Sequence, residues 1–171
     1  MVYSFKLCIV GDGGVGKTSL VRAMSNEPFE KMYLPTEGVT LQPITYNRGE
    51  RLSILNCWDT SGQEKYGHLH KGYWESSDAF IIMFDVTSRI SFNNALKWLR
   101  DIREEYEAVP IIIIGNKVER PDRKVELEEV EAVLDKLTTY QPYYEISVKG
   151  DPPSIDRPLS DLADTLLAME G

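Results

Sequence analysis

The chain has 171 residues, 42% of them hydrophobic and 27% charged, with twelve glycines and nine prolines. That length suits one domain with a sizeable core, and the balance excludes a disordered or fibrous chain. Acids outnumber bases 27 to 19, a net charge of −8, whereas non-specific contact with nucleic acid or anionic lipid needs the opposite sign, so neither is an expected partner.

In chain order, residues 5–10 (FKLCIV) read as a strand ending at glycines, and residues 17 to about 24 as a helix. Residues 39–46 and 51–58 are strand-like runs joined by Asn47-Arg48-Gly49-Glu50, a connection short enough to predict an antiparallel hairpin. Residues 79–84 (AFIIMF) and 111–114 (IIII) are continuous apolar runs, as expected of parallel strands covered on both faces, and 143–147 is a further strand candidate. Helical spacing fills the gaps: Phe92, Leu96, Leu99, Ile102 and Tyr106; then Val130, Val133, Leu134 and Leu137; then Leu159, Leu162, Leu166 and Met169. Ser91 and Ser160, or residues near them, are candidate N-caps. Cys8 and Cys57, the only two cysteines, sit in apolar runs and read as buried thiols of a reducing compartment. No 18-residue apolar stretch or leader pattern occurs. Strand–helix alternation predicts an α/β sheet with helices on both faces.

Three short segments carry chemistry. The first, Gly11-Asp12-Gly13-Gly14-Val15-Gly16-Lys17-Thr18, fits G-x-x-x-x-G-K-[ST] between a strand and a helix. Glycines let backbone N–H groups bend around phosphates, and the following helix adds the positive end of its dipole. Lys17 would bridge β- and γ-phosphate oxygens, and Thr18 would place a hydroxyl on Mg²⁺. In the second, Asp59-Thr60-Ser61-Gly62-Gln63, a carboxylate at a strand's end can hold Mg²⁺ through water. Gly62 could donate its N–H to the γ-phosphate, and Gln63 could orient an attacking water. The third, Asn116-Lys117-Val118-Glu119, follows an apolar strand. The Glu119 carboxylate can accept from N1–H and the 2-amino group of guanine, whereas adenine would oppose it with an acceptor.

These segments, in this order, resemble the small GTPases of the Ras superfamily, and the similarity runs over nearly the whole chain. Within it the resemblance is closest to the Ran (nuclear transport) family, carried by Phe29-Glu30-Lys31, Trp58-Asp59-Thr60-Ser61-Gly62-Gln63-Glu64-Lys65, residues 81–89 (IIMFDVTSR), Gly115-Asn116-Lys117-Val118, Asp122-Arg123-Lys124-Val125 and Tyr143-Tyr144-Glu145-Ile146-Ser147. The resemblance implies a P-loop G domain over residues 1–171: a six-stranded, mostly parallel sheet in order 2-3-1-4-5-6, strand 2 antiparallel, with five helices. It implies that Thr36 reaches Mg²⁺ and the γ-phosphate, joining Thr18 and Asp59 as the metal set. Phe29 would pack on guanine, the Lys117 stem would lie over it, and the loop Ser147-Val148-Lys149 would turn the Val148 N–H toward its O6. Ser19 completes the nucleotide-binding set.

The implied activity is a GTP/GDP switch that hydrolyses GTP slowly unless an activating protein helps, with Gln63, Lys17 and Thr36 as the catalytic residues. An exchange factor, a GTPase-activating protein and transport receptors of importin or exportin type are the expected partners, and nucleus and cytoplasm the expected location. The alternatives are a Rab- or Ras-like switch in membrane traffic or signalling, a guanine-nucleotide scaffold that no longer hydrolyses, and a small P-loop kinase. The last has no arginine-rich lid to support it. Glu119 stands where the family carries aspartate, Ser61 and Val148 where it carries alanine. Residues 134–139 lack Ran's basic run, and neither an acidic tail nor a prenylatable cysteine follows the last predicted helix.

Overall fold

The computed structural model describes residues 1–24, 32–34, 39–60 and 70–171, with the backbone alone for 32–34, 70, 71 and 152. The strands are β1 (Val2–Gly11), β2 (Met32–Leu34), β3 (Val39–Arg48), β4 (Arg51–Asp59), β5 (Ala79–Asp85), β6 (Ile111–Asn116) and β7 (Tyr143–Glu145). The helices are α1 (Lys17–Met24), α2 (His70–Trp74), α3 (Arg89–Glu105), α4 (Leu127–Leu134) and α5 (Asp156–Met169), the last entered through a 3₁₀ turn, Pro152–Ile155.

The strands form one sheet in the order β2-β3-β4-β1-β5-β6-β7. The β3–β4 hairpin is antiparallel, and from β4 to β7 every neighbouring pair is parallel. Six strands thus follow the expected order, and β2 adds a short antiparallel edge beside β3. Three residues are too short a run to carry a pattern that sequence reading could detect.

Each apolar run serves both faces of the sheet. Leu7 and Ile9 of β1, Ile81 and Met83 of β5, and Ile112 and Ile114 of β6 join α1 and α5 in one core. Their alternates Cys8, Val10, Phe80, Ile82, Ile111 and Ile113 join α3 and α4 in the other. A strand's side chains alternate between faces, so burial on both sides demands an unbroken apolar run. Cys8 and Cys57 are buried free thiols, and burial pushes the Cys8 thiol up to about 12 and that of Cys57 upward as well.

The cap expected at or near Ser91 falls on Ser88, and the cap expected at or near Ser160 is corrected. Helix α3 is capped by Ser88, in extended conformation, whose hydroxyl accepts from the Ser91 N–H at 3.2 Å. Ser91 lies buried inside the first turn, where its hydroxyl accepts from the Asp85 N–H at 3.0 Å. Ser160 is interior to α5, because the Pro152–Ile155 turn runs straight into a helix starting at Asp156. Its hydroxyl instead accepts from the Arg48 guanidinium of the β3–β4 hairpin. The apolar stripes also end sooner than their spacing predicts: Leu137 lies beyond α4, 39% exposed, and Met169 is 61% exposed, while Leu167 is buried in its stead.

Helix connections leave β1 and β5 toward opposite sides of the sheet. The carboxyl ends of these neighbouring strands therefore border a crevice at the topological switch point, where open α/β sheets bind ligands.

Candidate functional site

The segment after β1 sits at that crevice. Gly14 has φ +80° and Gly16 φ +110°, values that disfavour any side chain, and a Cβ on Gly16 would also run into Asn116 Nδ2. Lys17, the first residue of α1, is 3% exposed. Its ammonium donates to the carbonyls of Gly11 and Asp12, the latter at 3.0 Å, so the cation lies against the loop that precedes it. The Asp12 carboxylate accepts from Asn94 Nδ2 of α3 at 2.8 Å, which holds that negative charge to one side.

Thr18 and Asp59 meet across the sheet. The Thr18 hydroxyl donates to Asp59 Oδ2 at 2.7 Å, and Asp59, at the end of β4, is 4% exposed. Thr60 fastens that strand end by donating to the Ile9 carbonyl at 2.9 Å. A hydroxyl and a carboxylate side by side are hard oxygen donors of the kind Mg²⁺ takes, together with water and phosphate oxygens. Among the described residues no group of three His, Cys, Asp or Glu side chains could hold a metal.

The far end of the crevice is built around Asn116, 3% exposed at the end of β6. Its Nδ2 donates to the Val15 carbonyl at 2.9 Å, and its Oδ1 accepts from the Val148 N–H at 3.2 Å. One side chain thereby ties the phosphate-loop segment to the loop after β7. Lys117 adopts φ +70°, unusual for a residue with a side chain. Its ammonium donates to the Gly14 carbonyl at 2.7 Å and pairs with Asp85 Oδ2 at 2.9 Å. Burial pushes the Asp85 carboxyl up, but hydrogen bonds from Thr87 and Lys117, with the charge of Lys117, outweigh it and hold the group below the usual carboxylate range.

Glu119 Oε2 accepts from the Ser147 hydroxyl at 2.8 Å, and that hydroxyl accepts from the Gly150 N–H at 2.9 Å. Beneath this loop Arg123 forms a fork on Glu145, which also accepts from the Tyr143 hydroxyl at 2.8 Å. Gly14, Gly16, Ser19, Asn116, Lys117, Glu119, Val148 and Lys149 line one cleft of about 870 Å³, joined by Arg120, Pro121 and Gly150. That volume lies within the range of small-molecule sites.

The chain matches the model of the Ras family over residues 6–167. It belongs to the Ras family. As such it is a small GTPase of the switch type; members bind GTP and GDP, typically with Mg²⁺, and are served by exchange factors and GTPase-activating proteins.

For this Ras-family chain the structure brings Lys17, Thr18 and Asp59 together at one end of the crevice, and Asn116, Lys117, Glu119, Ser147 and Val148 at the other. Phe29, Thr36, Gly62 and Gln63, with Ser61, lie outside the described residues. Trp74, at the end of α2, is 2% exposed and packs edge-on against Phe80. Sequence reading missed Asn94, Asp85, Thr87, Arg120, Pro121 and Gly150. Asn94 and Asp85 act through contacts with elements distant in sequence, which no local spacing signals, whereas Thr87 acts on Asp85 two residues away.

Proposed function

We propose that this Ras-family protein is a Ran-like GTP/GDP switch, acting in nucleocytoplasmic transport and residing in nucleus and cytoplasm. The observation that carries the base assignment is the Glu119 carboxylate, hydrogen-bonded to Ser147 on the wall of a cleft shared with Gly14 and Gly16. Guanine offers that carboxylate two donors, N1–H and the 2-amino group, where adenine offers an acceptor. The Val148 N–H is assigned to guanine O6, the Lys117 stem and Phe29 to the faces of the ring.

At the other end, the backbone amides of residues 11–18 and Ser19 receive the phosphates, and the Lys17 ammonium neutralises β- and γ-oxygens. Thr18, Thr36 and Asp59 would hold Mg²⁺, which when bound supplies charge neutralisation at those oxygens. Gln63 orients a water whose oxygen bonds to the γ-phosphorus as the bond from that phosphorus to the β–γ bridging oxygen breaks. GDP leaves with the bridging oxygen, and both protons of the water end on the released phosphate, one on the oxygen that attacked and one on a former γ-oxygen. Gly13 leaves room for Gln63 beside the phosphate.

Switching follows from the same contacts. Thr36 and the Gly62 N–H each gain a charge-assisted hydrogen bond only while the γ-phosphate is present, worth roughly 1.5–3 kcal/mol apiece. The sum, about 3–6 kcal/mol, shifts a two-state equilibrium by roughly two to four powers of ten.

The Ran-like reading rests on residues 81–89, 122–125 and 143–147. Its test is capture of importin- or exportin-type receptors by the chain loaded with a non-hydrolysable GTP analogue or with GDP. Capture in the GTP-analogue state alone supports it. Receptors ignored in both states, with capture by membrane-traffic effectors instead, would favour the Rab- or Ras-like alternative.

A further inference from the structure

Gly150 follows the loop Ser147-Val148-Lys149 and lines the cleft beside Glu119. Its backbone is not among those with positive φ, so an alanine is conformationally admissible there. What the missing side chain supplies is room. A Cβ at this position would stand 2.7 Å from Ser147 Oγ, 3.1 Å from Glu119 Cβ and 3.2 Å from Glu119 Cγ. The first separation is too short to keep, and the other two are tight.

Ser147 has one easy way out, rotation about its Cα–Cβ bond. That rotation would end both hydrogen bonds of its hydroxyl: the one accepted from the Gly150 N–H at 2.9 Å and the one donated to Glu119 Oε2 at 2.8 Å. The carboxylate would lose the donor that fixes its direction just as its stem was pushed aside. Glu119 is one methylene longer than the aspartate of the family resemblance, and the Cβ and Cγ of its stem lie where a side chain at residue 150 would crowd them.

We propose that Gly150 is a specificity-determining position: its lack of a side chain lets the longer Glu119 lie where Ser147 can aim it at the edge of guanine. The proposal rests on the guanine reading of the cleft and adds to it a residue that acts on the base-reading carboxylate through Ser147 rather than on the base. Gly150 is therefore a positioning residue, and its removal should affect discrimination as well as affinity.

The test measures GDP and inosine 5′-diphosphate affinities of the full chain by competition against a fluorescent GDP, in wild type and Gly150→Ala. Inosine lacks the 2-amino group, so it offers a correctly aimed carboxylate one donor fewer. Gly150→Ala is expected to lower GDP affinity about tenfold, the scale of one hydrogen bond to a charged group, and to lower inosine diphosphate affinity by no more than about threefold. The ratio between the two nucleotides then contracts. Equal losses on both, as a merely structural role would give, overturn the proposal, as does an unchanged GDP affinity.

Ser147→Ala supplies a second test, because it removes the atom that the new Cβ would strike. In that background Gly150→Ala should lower GDP affinity by at most about threefold more, a sub-additive result typical of coupled neighbours. A full further tenfold loss contradicts the mechanism. A wild type that takes up neither nucleotide overturns the guanine reading and this proposal with it. A wild type that binds GDP beside an unresponsive Gly150→Ala variant overturns this proposal alone.

Discussion

Asn116 is the side chain on which the two halves of the cleft depend, and Asn116→Ala isolates its contribution. The variant deletes a donor to the Val15 carbonyl at 2.9 Å and an acceptor for the Val148 N–H at 3.2 Å. The Val15 carbonyl is buried and would be left without that donor, at a cost of about 1–3 kcal/mol. The Val148 N–H is only partly buried and gives up about 0.5–1.5 kcal/mol. Together the loss is about 1.5–4.5 kcal/mol, which for a chain of this size lowers the melting temperature by roughly 3–18 °C. If half of it is expressed in ligand binding, GDP affinity falls about fourfold to fortyfold. Urea unfolding with and without GDP separates the two parts. Asn116→Asp serves as a control: it keeps the acceptor for Val148 but directs a carboxylate oxygen at the Val15 carbonyl, and should be no more stable than the alanine variant. An Asn116→Ala protein within about 0.5 kcal/mol of wild type in both measurements would refute the clamp.

Three further outcomes are expected. Leu55→Ala, at a fully buried position facing α1 and α5, should cost about 2–5 kcal/mol in denaturant unfolding, through lost transfer energy and a residual cavity. The Asp85 carboxyl is held below its ordinary value, so its contribution to stability is present at neutral pH and fades as acidification protonates it; below about pH 5, Asp85→Asn should lose stability less steeply than wild type. Gln63→Leu should still bind GTP while single-turnover phosphate release nearly stops, and undiminished release would remove Gln63 from the mechanism.

Much of the architecture was legible because its signals are local. A run such as Ile111-Ile112-Ile113-Ile114 can only be a strand or a helix, its length and flanks choose the strand, and both faces proved covered. Lys17 and Thr18 could be placed because the phosphate-loop pattern fixes strand, turn and helix within a few residues. The pairing of Thr18 with Asp59, 41 positions apart, follows once both strand ends are known to be neighbours, and β1 and β4 are indeed paired through Ile9 and Asp59. The Asp12–Asn94 and Lys117–Asp85 contacts were invisible for the opposite reason: each depends on where α3 or β5 packs, and nothing in either segment names its partner. The α3 cap could be placed only at or near Ser91, because Ser88 and Ser91 both precede the apolar stripe that begins at Phe92. Only the folded chain shows that Ser91 is occupied with Asp85. Val148 and Ser147 came from family resemblance, since a serine–valine–lysine loop has no intrinsic signature of base recognition.

The nucleotide carried by the purified protein tests the central claim most directly. The protein would be prepared without added nucleotide, denatured, and the released bases identified and quantified by chromatography against standards. Guanosine diphosphate or triphosphate in near-stoichiometric amount is the predicted result, held by Lys17 and the residue 11–18 backbone at one end and by Glu119 at the other. Stoichiometric adenine nucleotide, or no bound nucleotide together with no calorimetric uptake of added GDP, would contradict it.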